Sequence, residues 1–331
     1  MRSFRKLSRS ARAAVCAAGL AVLVVAAAAT PLAVIVPTRV TEGANSQGDA
    51  DPAWAPGGTR IAYDSRDIDP YYPRIFYKDI PGGTETQLTG SGEPTPDYEH
   101  PAYSPSGSQI AYTKKDGTWY HLYVRPAGGG AETAVTSGTA GPNAGFGVFG
   151  DLYPAWSPDG QWLAFGSSRG DLQFGLFDIW VVRSDGSSLP KPATAQAAPD
   201  TGWPTWSADG NRVAFSQNNE VWQVARASGN SWGTPSRLWD GGNHPAFSPS
   251  GRHIAYDSGG DILLREYPSG PPIPITSGSD EDLGPSWSPD GKSLAFSSNR
   301  GDGNRAIWVA SGVDAVPTVP ATLARVKALY R

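Results

Sequence analysis

The sequence predicts an all-β chain folded as a six-bladed β-propeller with four-stranded antiparallel blades. Three observations predict it. A Pro-x-aromatic motif recurs six times along the 331 residues. Each copy is followed at fixed distances by a glycine and by an aliphatic–Ala–aromatic triplet. Turn formers are abundant (40 Gly, 30 Pro) beside 12 Trp, the balance expected of many short strands joined by tight turns.

The chain opens on a basic stretch from Arg2 to Arg12, then an unbroken small and apolar run from Ala13 to Ala29, which Pro31 interrupts. With Ala27-Ala28-Ala29 as small residues for a signal peptidase, this reads as a secretory signal. The alternative is an uncleaved anchor: a helix from Ala13 to Ala29 spans about 25 Å against a hydrocarbon core of about 30 Å. The expected organisation is residues 1–36 as signal peptide or N-terminal membrane anchor, 37–310 as propeller and 311–331 as a C-terminal tail. The single cysteine, Cys16, lies in the apolar run, so the rest of the chain offers no disulfide and no Cys-based zinc or iron–sulfur site. No cofactor is expected. Residues 1–36 hold five cations and no acid, so the chain without them falls from a net charge of −4 to −9. An acidic body argues against nucleic acid as a partner.

The repeats keep strict register. The motif stands at Pro52-Ala53-Trp54, Pro101-Ala102-Tyr103, Pro154-Ala155-Trp156, Pro204-Thr205-Trp206, Pro245-Ala246-Phe247 and Pro285-Ser286-Trp287. Six positions after each proline comes a glycine, and nine positions after it begins a triplet such as Ile61-Ala62-Tyr63 or Leu294-Ala295-Phe296. The proline-led piece reads as a short first strand, because a proline is tolerated where its nitrogen need not pair. Ser157 to Gly160 and Ser288 to Gly291 spell Ser-Pro-Asp-Gly, a hairpin turn in which proline presets φ and glycine takes φ > 0. The triplet is the second strand, its large side chains on one face and its alanine on the other. A third strand recurs at segments such as Ile75-Phe76-Tyr77 and Ile307-Trp308-Val309. A fourth ends near Gln87-Leu88-Thr89, Ala134-Val135-Thr136 and Pro274-Ile275-Thr276. Four strands every 40–53 residues match one propeller blade, which must pack on its neighbours to bury both faces.

The sixth repeat shows three strands and a weak tail. Arg39-Val40-Thr41-Glu42-Gly43 matches the fourth-strand pattern of Gln87-Leu88-Thr89-Gly90 and stands just ahead of Pro52. It is expected to complete the last blade in a 3+1 closure, in preference to Ala321-Thr322-Leu323.

The unit Pro154-Ala155-Trp156-Ser157-Pro158-Asp159-Gly160, repeated at Pro285 to Gly291, resembles the TolB-type (WD-repeat-like) propeller repeat over about residues 38–310. The resemblance implies a six-bladed propeller of the periplasm or cell envelope that binds a protein, as TolB binds a peptidoglycan-associated lipoprotein. The chain departs from that family in leaving no room for an α/β domain between residues 37 and 50. About 21 residues follow the last blade, too few for the hydrolase domain that follows related propellers in prolyl-oligopeptidase-like enzymes.

Catalytic motifs are weak. Gly166-Ser167-Ser168-Arg169-Gly170 fits G-x-S-x-G but ends a second strand, where a nucleophile elbow needs a strand–turn–helix. Arg169-Gly170-Asp171 and Arg300-Gly301-Asp302 read as repeat turns, Asp280-Glu281-Asp282 as solvated surface, and Ala321 to Arg331 as a frayed terminus with helical spacing of Leu323, Val326 and Leu329. No zinc-hydrolase spacing joins His100, His121, His244 and His253. His100 and His244 nevertheless share one repeat position, immediately before the first-strand proline, with Asp51, Tyr153, Trp203 and Gly284. The innermost strand lines the channel, so this position is expected to ring its mouth, with Glu99, Asp151 and Asp282 close by. The candidate ligand-binding residues are therefore Asp51, His100, Tyr153, Trp203, His244 and Asp282, with no catalytic and no metal-ligating residue. The expected function is a non-catalytic binding or scaffolding module, secreted or in the cell envelope, that recognises a protein or peptide at the channel mouth. The alternative is a carbohydrate-binding or carbohydrate-active propeller. Membrane contact is expected only through an uncleaved N-terminal segment.

Overall fold

A computed structural model describes residues 35–43, 48–66, 72–90, 96–138, 150–169, 176–195, 201–227 and 231–315. Residues 1–34 of the signal or anchor segment, the competing strand Ala321-Thr322-Leu323, residues 316–331 of the tail and residues 170–171 lie outside them, whereas the tail's first residues end the strand Ala306–Ser311 and form a short 3-10 turn, Val313–Ala315. Among the described residues no helix is long and apolar enough to cross a membrane.

Six antiparallel four-stranded sheets form the propeller, and five of them run in simple sequence order. Their innermost strands are Asp49–Trp54, Tyr98–Tyr103, Asp151–Trp156, Gly202–Trp206, Asn243–Phe247 and Asp282–Trp287, one per repeat. Hereafter blades 1 to 6 follow that order. In blade 6 the outer strand is Thr38–Arg39, which pairs with Ala306–Ser311 through Thr38↔Val309 and Arg39↔Trp308. The expected 3+1 closure is therefore present, with the N-terminal strand as its source.

Period-2 alternation decides where the core sits. In each second strand the aliphatic and aromatic residues face the preceding blade, and the alanine between them faces the following one. Leu163 and Phe165 of blade 3 thus pack on Ala111 and Leu122 of blade 2, whereas Ala164 packs on Val213 and Phe215 of blade 4. Six such apolar clusters fill the six seams, the last joining Ala295 and Ile307 of blade 6 to Ile61 and Tyr63 of blade 1. All of these triplet side chains are at most 1% exposed, so each seam removes most of its apolar area from water.

Polar latches fix the geometry around those seams. Three of the four motif tryptophans reach back one blade: Trp156 donates to Ala102 O at 3.0 Å, Trp206 to Ala155 O at 3.1 Å and Trp287 to Ala246 O at 3.0 Å. At the outer edge a buried threonine just past the fourth strand accepts a backbone N–H of the third strand. Thr89, Thr136, Thr194 and Thr276 accept from Ile75, Leu122, Ile179 and Ile262, each at 2.9 Å. In blade 6 the same latch comes from the other end of the chain, Thr41 accepting from Ile307 N at 2.9 Å.

The Ser-Pro-Asp-Gly segments are turns, as expected. Ser157 donates to Asp159 at 2.6 Å, and Gln161 N donates to the same carboxylate at 3.0 Å. Burial would raise the Asp159 pKa, but these donors outweigh it and hold it below the ordinary value. Ser288, Asp290 and Lys292 repeat the arrangement in blade 6.

Candidate functional site

The site begins with a backbone irregularity repeated in every blade. In each innermost strand the pairing register slips around the residue before the proline, for example between Ala50 and Ala53 in blade 1 and between Leu283 and Ser286 in blade 6. Proline cannot donate to the ladder, and its ring crowds the residue ahead of it. The strand answers with a bulge, and the preceding residue turns into the left-handed region: Asp51 (φ 45°), His100 (55°), Tyr153 (59°), Trp203 (48°), His244 (47°) and Gly284 (62°). Only glycine takes that conformation freely; each of the other five costs about 1–2 kcal/mol. Bulges commonly re-aim side chains beside functional sites.

These residues and the prolines that follow them line a cavity of about 130 Å³ on the propeller axis. The same prolines, Pro52 to Pro285, also line a wider funnel of about 500 Å³ on the other side. The prolines are the waist of the channel, and the left-handed residues form a cup above it.

The cup wall is a run of stacked rings. His100 meets Tyr153 edge to face at a centroid distance of 4.3 Å. Tyr153 stacks on Trp203 at 4.2 Å, and Trp203 meets His244 edge to face at 4.3 Å. Each ring belongs to a different blade, so the contacts run around the rim from blade 2 to blade 5. Such contacts stabilise by about 0.5–1.5 kcal/mol each beyond burial, comparable to the strain of the backbone that carries them.

Beneath the rim a second layer holds the ring in place. The residue after the second-strand triplet reaches the next blade from blades 1, 4, 5 and 6. Asp64 Oδ1 accepts from His100 N at 3.4 Å, Ser216 Oγ from His244 N at 2.9 Å, and Asp257 Oδ1 from Gly284 N at 3.0 Å. Asp257 also bonds His244 Nδ1 at 2.5 Å, and Thr113 Oγ1 lies 3.3 Å from His100 Nδ1. His100 Nε2 sits 3.6 Å from the Asp51 carboxylate.

The electrostatics of this layer share one sign. Burial pushes the Asp64 carboxyl well above the usual carboxylate range, and the negative charges of Asp51 and Glu99 push it further. Burial alone would depress the His244 imidazolium; its bond to Asp257, with the charges of Asp257 and Asp51, raises it above its ordinary value instead. Both shifts favour the protonated form, burial leading at Asp64 and the Asp257 bond outweighing burial at His244.

Five of the six residues singled out in the sequence, Asp51, His100, Tyr153, Trp203 and His244, come together on the cup. Asp282 does not. It starts the innermost strand of blade 6, is 1% exposed, and is ion-paired with Arg300. Period 2 alone would put Asp282 on the same face as Gly284, and the bulge between Leu283 and Ser286 breaks that phase. Asp151 is likewise buried against Arg169 and Ser167. Glu99 pairs with Arg66 at 2.5 Å. Ser167 of the G-x-S-x-G segment donates to Asp151 at 2.7 Å, a structural bond within blade 3. Sequence reasoning missed Asp64 and Asp257. Their signal was the position after the triplet, which reads Asp64, Thr113, Gly166, Ser216, Asp257 and Ser297 and is hydrophilic or small throughout. Among the described residues no cluster of metal-ligating side chains forms.

A closed six-bladed propeller with an aromatic and acidic axial cup is thus the class this chain defines. No protein-family model matches the chain, and no curated protein matches it in sequence. Solved structures do. A TolB candidate from Agrobacterium tumefaciens superposes with a TM-score of 0.59 at 20% identity, covering 80% of this chain and 90% of that one. TolB from Acinetobacter baumannii gives 0.56 at 21% identity over 76% of this chain, which spans 64% of that longer protein. The gluconolactonase XC5397 from Xanthomonas campestris gives 0.62 at 12% identity, covering 85% and 90%. The chain is a TolB-like propeller in its fold, and at these identities the likeness extends to fold alone.

Proposed function

We propose that this propeller is a non-catalytic binding module of the cell envelope or extracellular space that grips one side chain of a protein or peptide partner in the axial cup. The observation that carries this reading is the cup itself: five strained, non-glycine residues hold stacked rings around about 130 Å³. Sites for whole small molecules usually enclose about 300–1,000 Å³. A cup of this size suits a single anchoring side chain, with the rest of the partner lying across the surrounding blade ends. Rigid aromatic walls suit such anchoring, because they lose little entropy on contact. The ionisable groups around the cup serve the scaffold: Asp64 and Asp257 hold backbone N–H groups, and the Nδ1 atoms of His100 and His244 face Thr113 and Asp257.

The test is affinity capture from an envelope fraction with the full-length protein as bait, run beside His100→Ala/His244→Ala. One protein retained by the wild type and lost by the double variant is the expected result. Equal retention by both forms places the contact elsewhere and refutes the cup. The second reading, carbohydrate binding or turnover, draws on the two histidine–carboxylate contacts and on the gluconolactonase likeness. A glycan array with the same two proteins separates it: a glycan held by the wild type alone would replace the protein partner.

A further inference from the structure

The ring of six is incomplete at one place. Blade 6 contributes Gly284, so the wall has a gap between His244 of blade 5 and Asp51 of blade 1. A Cβ built on Gly284 would have one neighbour within 4 Å, Asp51 Oδ1 at 3.7 Å. The backbone does not demand glycine there, since five other residues hold the same conformation at φ 45° to 59°. The gap is therefore a feature of shape: it opens the cup toward the Asp51 carboxylate.

The chemistry of that gap follows from its surroundings. Asp51 is 30% exposed, and its described charged contact is His100 Nε2 at 3.6 Å, longer than a hydrogen bond. His244 on the other flank is balanced by Asp257. Glu99 behind the rim is balanced by Arg66. What remains is one carboxylate at the edge of a recess, and its charge contributes to the upward shifts of both Asp64 and His244. The walls leading to it are the packed rings of Tyr153, Trp203 and His244, which offer apolar contact to a long side chain.

We propose that the cup selects a basic side chain of the partner, lysine or arginine, whose head group enters the gap at Gly284 and pairs with Asp51 while its aliphatic stem lies along the rings. Long basic side chains combine such a stem with a charged tip. The inference rests on the reading of the cup as a peptide-anchoring site and names what that site takes.

Positional peptide arrays test it with the full-length protein. The probes are capped octapeptides, blocked at both termini, with one central position fixed as Arg, Lys, norleucine or Glu and the others randomised. The expected result is retention of the Arg and Lys sets over the norleucine and Glu sets. Loss of one charge-assisted bond predicts at least about tenfold weaker binding by Asp51→Asn, and Gly284→Ala, which fills the gap, should lose the same preference. Asparagine tolerates φ > 0, while Gly284→Ala meets only an ordinary contact but adds about 1–2 kcal/mol of backbone strain; thermal melts confirm that the variants are folded. Norleucine peptides binding as well as Arg peptides, or Glu peptides binding better, would overturn the basic-side-chain inference and leave the anchoring site standing. If no set binds the wild type, the anchoring site itself falls, and the inference with it.

Discussion

Thr41 offers the sharpest test of how the ring is held shut. Its hydroxyl accepts from the buried Ile307 N–H at 2.9 Å and donates to the Asp49 carboxylate, which is 1% exposed. Thr41→Val keeps the shape and removes both bonds. A buried N–H left without its acceptor costs about 1–3 kcal/mol, and a buried carboxylate losing a donor costs about 1.5–3 kcal/mol. The expected loss is about 3–5 kcal/mol, a large share of the roughly 5–15 kcal/mol that holds a typical native state. Thr276→Val is the internal control: Thr276 accepts from Ile262 N at 2.9 Å in blade 5, away from the closure, so its loss should be about 1–3 kcal/mol. Guanidinium unfolding of the two variants beside the wild type reads the difference, and hydrogen exchange at Val40, Thr41 and Ile307 localises it. A Thr41→Val protein within about 1 kcal/mol of wild type, or equal to Thr276→Val, would refute the account of the latch as what secures the ends of the ring.

Three further outcomes follow from the same geometry. A Cβ on Gly43 would sit 2.2 Å from Arg305 O at φ +56°, so Gly43→Ala should lower the unfolding free energy by about 2–4 kcal/mol in the same denaturant assay. Asp64 holds its proton more tightly folded than unfolded, so it opposes folding above the ordinary carboxyl pKa. Asp64→Asn, which keeps the acceptor for His100 N, should stabilise the protein at neutral pH and lose that advantage in acid, as thermal midpoints across pH would show. His244 has a raised folded pKa, so its contribution is full below the ordinary histidine value and fades as pH rises through the raised one. The stability deficit of His244→Asn should therefore be larger near about pH 5 than near about pH 9.

The architecture was legible because one repeat states its own contacts. The proline, the turn glycine and the triplet recur in register, so the blade count and the source of the closing strand could be read by aligning the chain with itself. The cup residues were legible for the same reason: the position before a first-strand proline must lie beside the axis. Their conformation was not. Tyr153 and Trp203 carry no mark of φ > 0, since that conformation is imposed by the bulge and held by stacking between blades. Asp64 and Asp257 looked like ordinary strand ends, because their bonds go to residues of the next blade, 36 and 27 positions along the chain. Asp282 looked like a rim residue because closeness in sequence was taken for closeness in space, and the bulge at Gly284 breaks that link.

The turns between first and second strands carry one more consequence. A Cβ on Gly58, Gly107 or Gly160 would meet Pro289, Pro56 or Pro105 at 3.4–3.7 Å, and Gly291 would meet Pro249 at 3.9 Å. Each repeat thus presents its turn glycine backward and its turn proline, or Ala208 in blade 4, forward, a head-to-tail interface within a single polypeptide. Such an interface, repeated through a constant rotation, either closes or grows without end, and here it closes at six. A repeat that carries both halves of its own contact can be copied whole and still fit its copy. Two identical three-repeat chains should on the same grounds complete one another into a single ring, so that the monomer is, in its internal grammar, an oligomer whose subunits never separated.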